Sequence, residues 1–111
     1  DLGLAVIGTG FAYRADDRGR QGRGLAALLP SIANVRRIGS SALDLCFVAA
    51  GQFDGYYERG IHPWDRAAGL LIAAEAGARG AVLDNFGVPL TIAAAPGIYD
   101  ALLAACSIDP D

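Results

Sequence analysis

Two carboxylates that could take part in chemistry, those of Glu58 and Asp65, lie seven residues apart in the middle of the chain. Glu58 ends an aromatic run typical of a strand, and Asp65 lies in the first turn of a predicted helix, so a short loop could bring both to one rim of a sheet. Two neighbouring acids can bind a metal ion or the hydroxyls of a polyol. Without further information, a Glu at a strand end is more often simply solvated.

The helix that begins before Asp65 has clear boundaries. Pro63 suits a first helical turn, and Gly77 suits the left-handed position that ends a helix. The positive end of the helix favours the negative charge of Asp65 and equips it to hold a cation. His62 is the other acceptor at this helix end, but it is the only histidine in the chain, and its role stays open.

A second candidate segment runs from Gly39 to Asp44. Gly39 and Ser40 allow a ligand to approach the backbone closely, and Ser41 with Asp44 resembles a capping box. Exposed N–H groups at such a helix start bind anions or hydroxyls. The competing interpretation is a well-capped core helix with a buried stripe of Leu43, Cys46, Phe47 and Ala50.

Three segments carry a family resemblance. They are Trp64-Asp65-Arg66-Ala67-Ala68-Gly69 with the later Glu75-Ala76-Gly77, the run Arg36-Arg37-Ile38-Gly39-Ser40-Ser41-Ala42-Leu43-Asp44-Leu45, and Asp54-Gly55-Tyr56-Tyr57-Glu58. Together they resemble the C-terminal half of the inositol monophosphatase family, whose members are magnesium-dependent phosphomonoesterases. The resemblance covers nearly the whole chain.

The resemblance implies a role for each matching residue. Gly39, Ser40 and Ser41 would hold the phosphate-bearing ring of the substrate through their backbone, and Glu58 would accept a hydrogen bond from a substrate hydroxyl. Asp65 would ligate Mg²⁺. None of the residues present is assigned as a catalytic acid, base or nucleophile, and Arg36 and Arg37 receive no firm role.

The chain departs from the family pattern in one important respect. The resemblance implies that most magnesium ligands come from an N-terminal half, in a Glu-rich segment and an Asp-Pro-(Ile/Leu)-Asp-Gly-(Thr/Ser) motif, and neither occurs here. Methionine is also absent. We therefore expect residues 1–111 to be a C-terminal half-domain whose metal-binding N-terminal half is missing, inactive alone and homodimeric when complete.

Three functions remain open. The first is hydrolysis of inositol-1-phosphate or a similar polyol phosphate to the alcohol and inorganic phosphate. The second is the same chemistry on histidinol phosphate, fructose-1,6-bisphosphate or a phosphoadenosine phosphate. The third is a non-catalytic α/β interaction module. A substrate panel separates the first two, and the identity of the preceding residues separates both from the third.

The elements that must position these residues alternate along the chain. Hydrophobic periodicity and turn residues predict five strands, at 4–9, 35–38, 52–58, 81–84 and 90–95, with a turn at 84–87. They also predict four helices, at 16–29, 41–50, 63–77 and 96–106. This pattern indicates an α/β fold, a layered mixed β-sheet covered by helices. The resemblance implies the C-terminal half of an αβαβα sugar-phosphatase fold.

Composition excludes several functional classes. The chain has 111 residues, 53% of them hydrophobic and 19% charged, which suits one globular domain. A net charge of −3 argues against nucleic acid as a partner, and no apolar run is long enough for a membrane span. We expect a soluble, cytoplasmic protein. Cys46 and Cys106 stand far apart and are expected to be idle thiols.

Overall fold

The computed structural model describes residues 1–107. In that range the strands are β1 (Val6–Thr9), β2 (Asn34–Arg36), β3 (Gly55–Arg59), β4 (Arg79–Asn85) and β5 (Val88–Ala94). The helices are α1 (Ala15–Leu28), α2 (Ser41–Ala49), α3 (Pro63–Glu75) and α4 (Pro96–Cys106). None of the helices in residues 1–107 is long and apolar enough to cross a membrane.

The five strands form one mixed sheet in the order β2-β1-β3-β5-β4. β1 runs parallel to β2 and β3, whereas β5 runs antiparallel to β3 and β4. The predicted α/β class and mixed sheet are therefore confirmed. In the register of the central strands, Tyr56 pairs with Gly8 on one side, and Glu58 pairs with Thr91 on the other.

Helices cover both faces of the sheet, and the two faces have separate cores. One core joins β1 and β5 to α1 and α4, with Ile7, Leu28, Ile92 and Leu102 fully buried. The other lies under α2 and α3 and consists of Leu45, Val48, Phe53, Tyr56 and Ala93. Side chains alternate along a strand, so Tyr56 and Glu58 share the α2/α3 face while Tyr57 enters the opposite core.

Some strands begin at residues other than those predicted, because local hydrogen bonds hold the preceding residues in turns instead of in the sheet. The first strand starts at Val6, because Asp1 caps a short 3₁₀ turn over Leu2–Leu4 through a 3.0 Å bond from the Gly3 N–H. β3 starts only at Gly55, three residues later than predicted. The turn between β4 and β5 is confirmed: Phe86 and Gly87 both have positive φ, as a two-residue hairpin turn requires.

The buried stripe of the competing interpretation is wrong at Leu43 and Ala50, whereas Phe47 does pack against the core of the α2/α3 face. The buried residues are Asp44, Leu45 and Val48, whereas Leu43 is 50% exposed and Ala50 is exposed. The helix is rotated relative to the prediction because Leu45 packs against α3 at Gly69, where a side chain would leave no room. The rotation buries a carboxylate, that of Asp44, at a position expected to cap the helix.

Close contact between α2 and α3 gives a stability prediction. A Cβ at Gly69 would lie 2.7 Å from Leu45 Cδ1 and 2.8 Å from its Cβ. Gly69→Ala should therefore lower the free energy of unfolding by about 1–3 kcal/mol, as overpacking does. Urea denaturation measures it. Gly22→Ala is the control, because a Cβ there meets nothing within 4 Å; equal effects of the two changes would contradict the prediction.

Candidate functional site

An open cavity of about 680 Å³ lies where the ends of several elements meet. Its walls come from the segment after β1, the end of β3, the first turns of α2 and α3, and the β4–β5 hairpin. All five residues predicted to bind substrate or metal line it: Gly39, Ser40, Ser41, Glu58 and Asp65. The fold thus brings them to one place.

The start of α2 forms one wall of the cavity. Gly39 has a φ of +89°, a left-handed conformation that favours glycine. The N-cap is Ser40, whose hydroxyl accepts a 3.3 Å bond from the Leu43 N–H, so the predicted Ser41–Asp44 capping pair is wrong. The first N–H groups of a helix have no acceptor within it, which leaves those of Ser41 and Ala42 for an anion.

The Ser41 side chain has a different task from its backbone. Its hydroxyl donates a 3.0 Å hydrogen bond to the backbone carbonyl of Asp65, and so joins α2 to the first turn of α3. Ser41 can therefore contact a ligand through its N–H, while its hydroxyl fixes the two helix starts relative to each other.

Asp65 is the third residue of α3 and is half-buried. Its Oδ2 accepts a 3.1 Å bond from the His62 N–H, and its own N–H donates to the His62 carbonyl at 2.9 Å. No hydrogen bond in the described residues uses Oδ1. The carboxylate is thus anchored by one oxygen and presents the other. The His62 ring stacks on Trp64, with 4.5 Å between ring centroids.

Glu58 lies on the α2/α3 side of β3. Its Oε1 accepts a 2.7 Å bond from the Tyr56 hydroxyl. Burial raises the pKa of the Glu58 carboxyl, while the Tyr56 hydrogen bond and the charge of Arg37 lower it. The Asp65 charge makes the smallest of these contributions and raises the Glu58 pKa.

Gly10 provides the wall against which the Glu58 carboxylate rests. A Cβ at Gly10 would lie 2.7 Å from Glu58 Cδ. Because the end of a flexible side chain can move aside, Gly10→Ala should leave the fold stable but displace the carboxylate. We expect the dissociation constant of a ligand that contacts Glu58 to rise about tenfold, the loss typical of a charged hydrogen bond. Equilibrium binding measurements test this, with Gly97→Ala, where a Cβ meets nothing within 4 Å, as the control; an unchanged dissociation constant would contradict it.

The side chains of the adjacent residues Arg36 and Arg37 lie in different surroundings, as the alternation of side chains along a strand predicts. Arg36 is exposed, and its guanidinium donates to the Val35 carbonyl at 3.2 Å. Arg37 lines the cavity, with its guanidinium carbon 5.9 Å from the centre of the Phe11 ring. Its positive charge lowers the pKa of Glu58 and also opposes the rise in the pKa of Asp44, so Arg37 is a cation that acts on both acids.

The sequence analysis did not predict that the carboxylate of Asp44 is buried. The residue is 1% exposed, and neither carboxylate oxygen has a hydrogen-bond partner within residues 1–107. Burial, with a further contribution from the Glu58 charge, raises the pKa of Asp44 to about 7, against the opposing effect of Arg37. The available signal was its position among apolar residues, between Leu43 and Leu45.

The metal-binding capacity of the described residues is limited. Asp65 offers the hard oxygen donor that Mg²⁺ prefers, so the donor chemistry fits. However, residues 1–107 contain no group of three or more His, Cys, Asp or Glu side chains that could hold a metal ion. A magnesium ion held by Asp65 would take its other ligands from water, from substrate or from residues outside 1–107.

Sequence comparison decides the family. A model of the inositol monophosphatase family matches residues 1–108. The chain belongs to the inositol monophosphatase family. It is 57% identical over 111 residues to the inositol-1-monophosphatase of Mycobacterium leprae, an alignment that covers 95% of this chain and 38% of that protein. The chain thus spans little more than a third of this curated relative.

Two further proteins are similar to this family member. The solved structure of Mycobacterium tuberculosis SuhB matches 100% of this chain and 45% of its own, with a TM-score of 0.87 and 51% identity. A protein of Vibrio cholerae named Nus factor SuhB is 48% identical over 79 residues, covering 70% of this chain and 30% of its own length. The proteins that this chain resembles therefore include some named as inositol-1-monophosphatases and one named for another role.

Proposed function

We propose that this inositol monophosphatase family member is the C-terminal part of a Mg²⁺-dependent phosphomonoesterase that hydrolyses inositol-1-phosphate or a similar polyol phosphate. The observation that supports this most directly is the convergence of Gly39, Ser40, Ser41, Glu58 and Asp65 on one cavity. These are the residues that the family motifs assign to substrate and metal.

Each wall of the cavity has a chemical task in this proposal. The backbone of Gly39, Ser40 and Ser41 binds the phosphate-bearing ring. Glu58 would accept a hydrogen bond from a ring hydroxyl, and Asp65 would supply one oxygen ligand to magnesium. The chemistry that a bound magnesium ion would supply is Lewis-acid activation of a water and stabilisation of the alkoxide that leaves phosphorus.

The outer face of the α2/α3 layer exposes apolar side chains, which supports the proposal that another part of the enzyme covers it. Leu43 is 50% exposed, Leu71 is 62% exposed and Ile72 is 47% exposed. A helix layer that is apolar toward solvent as well as toward its sheet needs a second covering layer. We propose that the N-terminal half of the same enzyme covers it and supplies the other magnesium ligands. Residues 1–111 alone are then inactive, and the complete enzyme is a homodimer.

The test begins with the coding sequence ahead of Asp1. An in-frame Glu-rich segment and an Asp-Pro-(Ile/Leu)-Asp-Gly-(Thr/Ser) motif are expected there. The full-length product should then release phosphate from inositol-1-phosphate only when Mg²⁺ is present, whereas residues 1–111 should release none. Absence of the motifs, together with no Mg²⁺-dependent turnover, would refute the proposal.

The same assay distinguishes the alternatives. Histidinol phosphate, fructose-1,6-bisphosphate and phosphoadenosine phosphate are run beside inositol-1-phosphate, and kcat/KM ranks them. A protein whose preceding residues lack the metal-binding motifs and that hydrolyses none of the esters would instead favour the non-catalytic interaction module.

A further inference from the structure

We propose that Tyr56 is a positioning residue, whose hydroxyl holds the Glu58 carboxylate in the orientation that accepts a substrate hydroxyl. The inference rests on the proposed function, because it takes Glu58 as the residue that contacts the polyol. It adds a residue outside the group that the motifs assign to substrate and metal.

The strand geometry places Tyr56 directly behind Glu58. The two residues are two apart on β3, so their side chains lie on the same face of the sheet. Tyr56 is fully buried in the core with Leu45, Phe53 and Ala93, which fixes its ring. Its hydroxyl reaches Glu58 Oε1 at 2.7 Å. A rigid donor thus meets a carboxylate at the cavity wall.

Few other contacts fix the position of the Glu58 carboxylate. Within residues 1–107, the Tyr56 bond is the hydrogen bond that Glu58 accepts, and Gly10 lies close against the carboxylate. With Oε1 engaged by Tyr56, Oε2 is the oxygen left to accept from a ligand. A carboxylate held in this way loses little conformational entropy when it binds a hydroxyl.

The surroundings of Tyr56 keep its hydroxyl available as a donor to Glu58. Burial, together with the Glu58 charge, raises the pKa of Tyr56 well above its ordinary value, which keeps the hydroxyl protonated.

The experiment uses the full-length enzyme with Tyr56→Phe. KM for inositol-1-phosphate should rise about tenfold, with kcat changed less than about twofold, because a hydrogen bond to a charged group is lost from substrate binding. Hydrolysis of 4-nitrophenyl phosphate, which has no hydroxyl for Glu58, should be unaffected. Tyr57→Phe is the matched control, since Tyr57 is 5% exposed but faces the opposite core.

A double-mutant cycle identifies the partner. In a Glu58→Gln background, Tyr56→Phe should have no more than a small additional effect on KM. Either of two results would overturn the proposal: an unchanged KM for inositol-1-phosphate in folded Tyr56→Phe, or an equal rise in KM for 4-nitrophenyl phosphate, which would reveal a purely structural role.

A second measurement separates this inference from the proposed function. If the wild-type enzyme hydrolyses neither ester, the proposed function fails, and carbon-detected NMR titration of the Glu58 carboxyl still tests the contact. The Tyr56 donor lowers the pKa of Glu58, so Tyr56→Phe should raise that pKa while Tyr57→Phe leaves it unchanged. An identical Glu58 pKa in wild type and Tyr56→Phe would overturn the positioning role.

Discussion

If the proposed function is right, Asp65→Asn in the full-length protein should lower Mg²⁺-dependent kcat by about a thousandfold, the loss expected when several kcal/mol of metal-derived stabilisation disappear. Asn replaces an anionic ligand with a neutral one. Its side-chain oxygen can still accept the hydrogen bond that Asp65 Oδ2 receives from the His62 N–H at 3.1 Å. The first turn of α3 should therefore keep its structure while the metal is bound more weakly.

Phosphate release measured across a Mg²⁺ titration tests this prediction. The variant should need more Mg²⁺ for half-maximal rate, and its circular dichroism spectrum should match that of wild type. Asp84→Asn is the control, because it makes the same chemical change on an exposed side chain in β4. Full activity of Asp65→Asn would contradict the proposed role of Asp65 as a magnesium ligand.

The features that were predicted correctly are those with local signals. Pro63 fixed the start of α3, and the dipeptide Phe86-Gly87 adopts the positive φ values of a hairpin turn. The mixed sheet follows from strands that alternate with helices and end in a hairpin. These features need only a few neighbouring residues, so a single sequence is enough to recognise them.

The features that were missed depend on contacts between distant segments. The Glu58 carboxylate rests on Gly10, which is adjacent to it only through the register of β1 and β3. The burial of Asp44 depends on the rotation of α2, which Gly69 of α3 determines. Family motifs identify residues that touch substrate or metal, but they do not reveal the side chains that support those residues from behind.

Asp44 gives the second large prediction, a stability that decreases as the pH rises. Its pKa is about 7 in the folded chain, against an ordinary value of 3.8. Between these two values the folded state binds more protons than the unfolded state, so ionisation opposes folding. The full stabilising effect of the protonated form is present below about pH 4 and is lost as the pH passes 7, a change of at most about 4 kcal/mol.

Asp44→Asn should remove this dependence, because the amide stays neutral at every pH. We expect the variant to exceed wild type in unfolding free energy by about 2–4 kcal/mol at pH 8 and to match it near pH 4. Urea denaturation at pH values from 4 to 8 measures the difference, with exposed Asp84→Asn as the control. A difference independent of pH would contradict the prediction, since it would mean that the buried carboxylate ionises in the folded chain as readily as in the unfolded one.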